Sequence, residues 1–184
     1  MTSALICIDY INEIVGASGK LAAKGYRDFV IRHATLANLA KEQAAMRSAG
    51  GHVIHVHLGF KADYSDHPAK SPLLGGARAA GILIVGTPST EIVPEVAPHN
   101  GDIVLVKKRI SAFFGTDLER KLRDLNVNKV LLAGVATDLA VQSAARDAHD
   151  RDFEVEILAN CCAAANDGDH NTALNTLRKF VAVR

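Results

Sequence analysis

Short apolar runs alternate along this chain with longer segments in which apolar residues recur at helical spacing. The runs are apolar at nearly every position, which is typical of parallel strands that helices cover on both faces. The alternation therefore predicts a parallel sheet between layers of helices, with right-handed crossover connections. The predicted strands are 3–9, 52–59, 102–108, 129–135, 154–160 and a short last one at 180–184.

The segments between these runs have the spacing and the end signals of helices. Gly50 and Gly51 are expected to close the first helix as its C-cap. Thr116 with Glu119 three residues later predicts a capping box at the start of another. The predicted helices are 28–51, 116–127, 138–152 and 167–179. The fold class is thus a three-layer α/β/α sandwich with a mainly parallel sheet of about six strands, and 184 residues suit one domain over 1–184.

Residues 60–101 interrupt the alternation, because they hold all five prolines and have little periodicity. A loop of this length inside a compact domain is usually functional or disordered. Open α/β sheets bind ligands at the carboxyl ends of their strands. We therefore expect this segment to lie over that edge as a lid, or to form a contact between subunits.

Composition argues against binding to nucleic acid or membranes, and the first residues predict where in the cell the protein is found. The net charge is +1 and tryptophan is absent, so binding to nucleic acid or to an anionic membrane is not expected. The first residues have neither a basic region nor a long apolar core, which predicts a cytoplasmic protein. Three cysteines, Cys7, Cys161 and Cys162, do not form a disulfide pattern. They are expected to be reduced and buried.

Three places could carry chemistry at the carboxyl ends of the strands. Asp9 follows the first apolar run, and it is either a general acid or base or a carboxylate that braces a loop. Lys107 and Lys108 end the third run, and the pattern cannot decide which of them enters a site. The small residues of "GVATD", 134–138, allow a sharp turn whose N–H groups could bind an oxyanion, or they form a plain turn into a helix.

The histidines do not predict a metal site. His55 and His57 lie on one face of the second strand and His52 on the other, but no third ligand is fixed nearby. His170 is expected to anchor the start of a helix. No metal and no cofactor are therefore expected.

The order, spacing and length of these segments resemble the isochorismatase-like, or cysteine hydrolase, superfamily. The likeness covers nearly the whole chain, from "ALICIDYINEI" to the block that runs from "VLVKKRISAFFGTDL" through "GVATDLAVQSAARDAHDRD". The resemblance implies that Asp9 and Lys107 are catalytic, with Lys108 pointing outward. It also implies a cis peptide at Val135-Ala136 and substrate contacts from Val135, Ala136, Phe113 and Asn12. Members are commonly oligomeric, which implies a dimer or larger.

The chain departs from the family's amidase branches at the nucleophile. Where those branches carry the attacking cysteine, this sequence has Ala140, so the covalent thiol route is closed. Isochorismatases are a branch without that thiol, and they hydrolyse a vinyl ether by protonation and water attack. The favoured hypothesis is therefore thiol-free hydrolysis of a small molecule. The alternatives are a cysteine amidohydrolase inactivated at position 140 and a pseudoenzyme that binds a small molecule or a partner.

Two further departures affect the site that the resemblance implies. The Asp-x-His pattern with which nicotinamidases bind a metal is absent after "HVIHVHLG", 52–59. Ile11 stands where a glutamine is common two residues after the catalytic aspartate. We therefore carry over no metal, and the substrate is not named by the sequence.

Overall fold

A six-stranded, wholly parallel sheet forms the centre of the computed structural model, which describes residues 2–184. The strands lie in the order β3-β2-β1-β4-β5-β6, so the chain starts in the middle and builds outward on each side. The predicted sheet is confirmed. The strands are β1 Thr2–Ile8, β2 His52–Leu58, β3 Ile103–Lys107, β4 Val127–Gly134, β5 Glu154–Ile157 and β6 Ala182–Val183.

Helices cover both faces of the sheet and complete the three layers. They are α1 Asn12–Val15, α2 Tyr26–Arg32, α3 Thr35–Ser48, α4 Ala77–Ala80, α5 Leu118–Asp124, α6 Gln142–His149 and α7 Asp167–Leu177. The helices before β3 pack on one face, and those after it pack on the other. No helix among residues 2–184 is both long enough and apolar enough to span a bilayer.

Alternate residues of β1 feed two separate cores. Leu5 and Cys7 belong to the cluster beneath α2 and α3, whereas Ile6 and Ile8 belong to the cluster beneath α5 and α6. Side chains of a strand point alternately to the two faces of a sheet. The uniformly apolar run that predicted this strand is therefore explained by burial on both sides.

Two predicted helices differ from those in the structure. The helix predicted over 28–51 is two helices, α2 and α3, because Ala34 adopts the left-handed conformation with φ 50°. The capping box does not form: the side-chain oxygen of Thr116 accepts a hydrogen bond from the Leu118 N–H, while Glu119 pairs with Arg151. The side chain of Glu119 is thus used between elements and not at its own helix start.

The helix predicted over 138–152 begins with a different geometry. A π-helical turn, Thr137–Val141, precedes α6, which ends at His149. The strand predicted over 154–160 also stops early, at Ile157, and a 3₁₀ turn follows at Ala159–Cys161. Turns with the wider π geometry occur frequently at functional sites.

The segment 60–101 is ordered and contributes to the core. It contains α4 and two 3₁₀ turns, Pro88–Thr90 and Pro94–Val96. Eight of its buried apolar residues join the core cluster beneath α2 and α3: Phe60, Tyr64, Leu74, Ala77, Ile82, Leu83, Val93 and Val96. Burial of these side chains explains how a segment with little periodicity holds a fixed shape.

Candidate active site

Asp9 is fixed at the carboxyl end of β1 by the neighbouring strand β2. Its backbone adopts the left-handed conformation, φ 63°, which aspartate tolerates better than most residues. Its N–H donates to the Val56 carbonyl over 3.1 Å, and its side-chain Oδ1 accepts a 2.7 Å hydrogen bond from the Leu58 N–H. The carboxylate is 4% exposed. The hydrogen bond to Oδ1 leaves the second oxygen, Oδ2, for the contact with Lys107.

Lys107, the last residue of β3, supplies the cation for that carboxylate. Its ammonium Nζ lies 2.7 Å from Asp9 Oδ2, and both side chains are almost wholly buried. The same Nζ donates to the carbonyls of Ile110 at 2.9 Å and Arg109 at 3.2 Å. All three ammonium donors therefore have partners, as a buried charge requires.

Lys108 points away from this pair. Its ammonium group donates to the Gly59 carbonyl and lies 3.2 Å from the Asp66 carboxylate, with a third of its side chain exposed. Successive residues of a strand point to opposite faces, which explains why only one of two adjacent lysines reaches Asp9. The structure thus brings Lys107, and not Lys108, to the carboxylate.

The turn after β4 forms the third wall of the site. Gly134 ends the strand where a Cβ would lie 2.9 Å from the Ile8 Cβ, so only glycine allows this approach. The peptide between Val135 and Ala136 is cis, as expected from the resemblance. The Ala136 carbonyl accepts from the Leu139 and Val141 N–H groups, and the π-helical turn carries Ala140 to the site.

One cavity of about 120 Å³ contains Asp9, Lys107, Val135, Ala136 and Ala140 in its lining. Three strand ends and the turn after β4 therefore converge on one place. The remaining lining residues are Ile14, Leu21, Lys24, Tyr26, Leu58, Leu73, Leu74, Arg109, Ile110 and Leu139. Most of the surface is apolar, which is typical of a pocket for a small molecule.

Phe113 and Asn12, which the resemblance implied as substrate contacts, do not line this cavity. Phe113 is buried in the opposite core, against Phe153, with ring centroids 6.3 Å apart. The Asn12 side-chain amide donates to the Pro88 carbonyl and so ties α1 to segment 60–101. Both residues act on the framework around the site and not on its surface.

Several lining residues were not found by sequence reasoning. Leu73 and Leu74 come from segment 60–101, which has no periodic pattern to place them. Lys24 ends the 3₁₀ turn between α1 and α2, and Tyr26 begins α2 after Gly25; no motif marks either residue. Arg109 carried a usable signal, because it lies two residues after Lys107 at the end of the same strand.

The native thiols lie outside the cavity. Cys7, Cys161 and Cys162 are free, are at most 2% exposed, and belong to the two cores. Burial raises the pKa of each to about 12, so each thiol is protonated at neutral pH. None of the three is therefore placed or ionised to act as the missing nucleophile.

The histidines have structural contacts. His170 in α7 is hydrogen-bonded through Nδ1 to the Thr137 hydroxyl at 2.9 Å, which anchors the π-helical turn. His55 and His57 lie in the interior of the sheet at 1% and 8% exposure. Among residues 2–184 there is no group of three or more His, Cys, Asp or Glu side chains placed to hold a metal ion.

An ion pair at the carboxyl ends of parallel strands, beneath an apolar cavity, is typical of α/β enzymes that bind small molecules. A family model described as the isochorismatase domain matches residues 3–184. The chain belongs to the isochorismatase family, whose members are hydrolases.

Comparisons with individual proteins agree with this family. The chain is 30% identical over 180 residues to an uncharacterized isochorismatase family protein, YecD, of Escherichia coli O157:H7, covering 93% of this chain and 78% of that one. It is 34% identical over 169 residues to the ureidoacrylate amidohydrolase RutB of Variovorax paradoxus, covering 85% of this chain and 65% of that one.

A solved structure gives the same result for the fold. An isochorismatase family protein from Desulfovibrio vulgaris superposes with a TM-score of 0.88 at 29% identity, covering 99% of this chain and 93% of that one. The likeness thus extends over the whole sheet and over segment 60–101, which lies inside the matched region.

Proposed function

We propose that this hydrolase acts on a small molecule without a covalent thiol step, with Asp9 as general acid and base and Lys107 as its electrostatic partner. One observation carries the proposal: Ala140 lines the cavity that holds the Asp9–Lys107 pair, and no cysteine among residues 2–184 does so. An enzyme that must act without a nucleophile on the protein can use water instead, provided that a group moves the protons.

The geometry of the ion pair suits both directions of proton transfer. An ionised carboxylate 2.7 Å from an ammonium group can take a proton from water, and it can return that proton to the substrate. In a vinyl ether, protonation of the alkene carbon gives an oxocarbenium ion, water adds to it, and the C–O bond breaks to release an alcohol and a carbonyl compound. Lys107 would stabilise the carboxylate that remains after the proton has left.

The turn after β4 offers a donor for negative charge that develops on an oxygen. Ala136 lines the cavity, and its N–H donates to no acceptor within residues 2–184. A backbone N–H that is fixed before the reaction stabilises developing charge with little reorganisation. Val135 and Ala136 therefore stay in the proposal as substrate-binding residues.

The first test is turnover of isochorismate by the wild-type chain beside an Asp9→Asn variant. The expected result is turnover that falls by at least roughly 100-fold in the variant, since general acid–base catalysis contributes that much or more. Circular dichroism and thermal unfolding of the variant serve as the control for an intact fold. Turnover that survives in the variant would contradict the role of Asp9.

A second candidate function is a cysteine amidohydrolase that was inactivated at position 140. It is favoured by the 34% identity to a relative named as a ureidoacrylate amidohydrolase. An Ala140→Cys variant separates the two: gain of ureidoacrylate hydrolysis, absent from wild type, would favour the amidohydrolase. A pseudoenzyme would be favoured if wild type and Ala140→Cys both bound ureidoacrylate or isochorismate without hydrolysing it, and if the Asp9→Asn variant bound the same molecule.

A further inference from the structure

The charges that line the cavity do not balance. Its lining contains three cationic side chains, Lys107, Lys24 and Arg109, but only one carboxylate, that of Asp9. Lys107 and Asp9 neutralise each other across 2.7 Å. Two positive charges therefore remain without a carboxylate partner at the surface that a substrate would touch.

Arg109 has free donors on its guanidinium group. One nitrogen, Nη1, donates to the carbonyls of Asp66 at 3.1 Å and Lys108 at 2.7 Å, which holds the group in place. The other two nitrogens, Nε and Nη2, donate to no acceptor within residues 2–184. The nearby Asp66 carboxylate is engaged by Lys108 and does not compensate Arg109. A held guanidinium with two free nitrogens matches the geometry of a carboxylate.

Lys24 adds a second cation to the lining. It follows α1 in a short 3₁₀ turn, is exposed, and makes no ion pair within residues 2–184. Glu13 is the acidic residue that could oppose these charges, but it lies behind the lining, where its Oε1 accepts from the Leu21 N–H. Lys24 and Arg109 are thus the two cations of the lining that no carboxylate of the lining compensates.

We propose that the substrate carries a carboxylate, which Arg109 and Lys24 bind at the cavity mouth while its apolar body lies against Ile14, Leu21 and Leu74. These cations are specificity-determining residues and not catalytic ones. The inference rests on the proposed function only in taking this cavity as the substrate site. It names a class of substrate, a small organic anion, and it excludes neutral amides as preferred ligands.

Binding of benzoate and benzamide tests the proposal, because the two probes have the same shape and differ in charge. Isothermal titration calorimetry at low salt is expected to give roughly tenfold tighter binding of benzoate to the wild-type chain. Arg109→Gln should reduce this preference to about twofold or less. Lys24→Gln should reduce it by a smaller factor, since the lysine is more exposed.

The matched control is Arg78→Gln. Arg78 is an exposed arginine of segment 60–101 that does not line the cavity, so its removal changes the net charge equally and should leave the preference unchanged. Equal affinity for the two probes in wild type would overturn the proposal. A preference for benzoate that survives in the double variant Arg109→Gln with Lys24→Gln would also overturn it. Absence of benzoate binding to wild type at about 10 mM would overturn it as well.

Failure of the proposed function gives a different result. The calorimetric test measures binding and needs no hydrolysis. An Asp9→Asn variant that still prefers benzoate would therefore support the anion site, whether or not the variant hydrolyses isochorismate. Loss of the preference in Asp9→Asn together with its survival in Arg109→Gln would mean that the probe binds Lys107 instead, and this too would overturn the proposal.

Discussion

Lys107 is held as a buried charge by three acceptors, and removal of either member of its ion pair leaves the other without compensation. Such a single removal typically costs 3–5 kcal/mol, whereas replacement of both members can be nearly neutral. The ion pair at this site therefore contributes to stability only as a pair. Replacement of both members should therefore remove the chemistry of the ion pair while costing little stability.

Lys107→Met is expected to lower the free energy of unfolding by roughly 3 kcal/mol, because Asp9 would remain buried and unpaired. Urea unfolding measures the change. The double variant with Asp9→Asn should recover part of the loss while staying inactive. Lys108→Met is the matched control, and because its ion pair is partly exposed it should cost under about 1 kcal/mol. Equal losses for the two lysines would contradict this account.

At the residue scale, the sequence indicated which residues belong to the candidate site better than it indicated which side chains they contact. Asp9 was found because a carboxylate directly after an apolar strand is unusual, whereas Ala140 was found only through the resemblance, since alanine carries no chemical signal. The choice of Lys107 over Lys108 came from resemblance, since an apolar run on both faces gives no inward or outward signal. Lys24 joins Arg109 in the lining of one cavity only through long-range folding, which no local pattern records.

At the scale of one element, β2 carries histidines into the interior of the sheet. His55 is 1% exposed, and its Nε2 lies 3.7 Å from Asp102, beyond hydrogen-bond distance. Burial lowers the pKa of His55 from 6.5 to about 4. Burial also lowers the pKa of His57, two residues further along the same face. Both side chains are therefore neutral in the folded protein at neutral pH.

These lowered pKa values make stability depend on pH in the acid range. Between pH 6.5 and 4 the unfolded chain binds a proton at His55 that the folded chain does not, so the free energy of unfolding falls as pH falls. The loss from His55 is on the order of 3 kcal/mol by pH 4. Urea unfolding between pH 7 and 4 should show a shallower fall in His55→Leu than in wild type.

The control for this prediction lies on the same strand. His52 begins β2 and is partly exposed, so His52→Gln should leave the wild-type slope of stability against pH unchanged. Identical slopes for His55→Leu and wild type would show that another group produces the acid limb.

Helix ends were the least predictable feature of the elements. The apolar spacing of 28–51 continues through the break at Ala34, because both helices bury the same face of the chain. Alanine carries no turn signal of its own, so tertiary packing alone selects its left-handed conformation there. The failed capping box has a similar cause, since Arg151 competes for the Glu119 side chain.

At the scale of the whole molecule, segment 60–101 belongs to the same core as the sheet. Phe60 is fully buried, and its N–H donates to the Leu83 carbonyl at 2.7 Å. Its ring lies 6.3 Å from that of Tyr64. The role of the segment as a lid over the strand ends, or as a contact between subunits, stays a prediction. The sequence did not predict that the segment packs as core, because its apolar residues follow no period.

Phe60→Ala is expected to lower the free energy of unfolding by roughly 3–5 kcal/mol, as for a core position of the sheet. Phe114→Ala, at a position 64% exposed, should change it by about 0.5 kcal/mol or less. Chemical unfolding followed by far-ultraviolet circular dichroism measures both. A small effect of Phe60→Ala, or a separate early transition for the segment, would mean that 60–101 opens independently of the sheet.

The carboxyl group of Asp9 is tied on both sides, with Oδ1 on the Leu58 N–H and Oδ2 on Lys107. Its plane therefore has a fixed orientation relative to the cavity. A proton that leaves Asp9 would reach the bound molecule along a single direction. Under the proposed reaction, a new C–H bond would form on one face of the substrate only. In heavy water, a vinyl ether whose protonated carbon carries one substituent would therefore receive deuterium with a single stereochemistry.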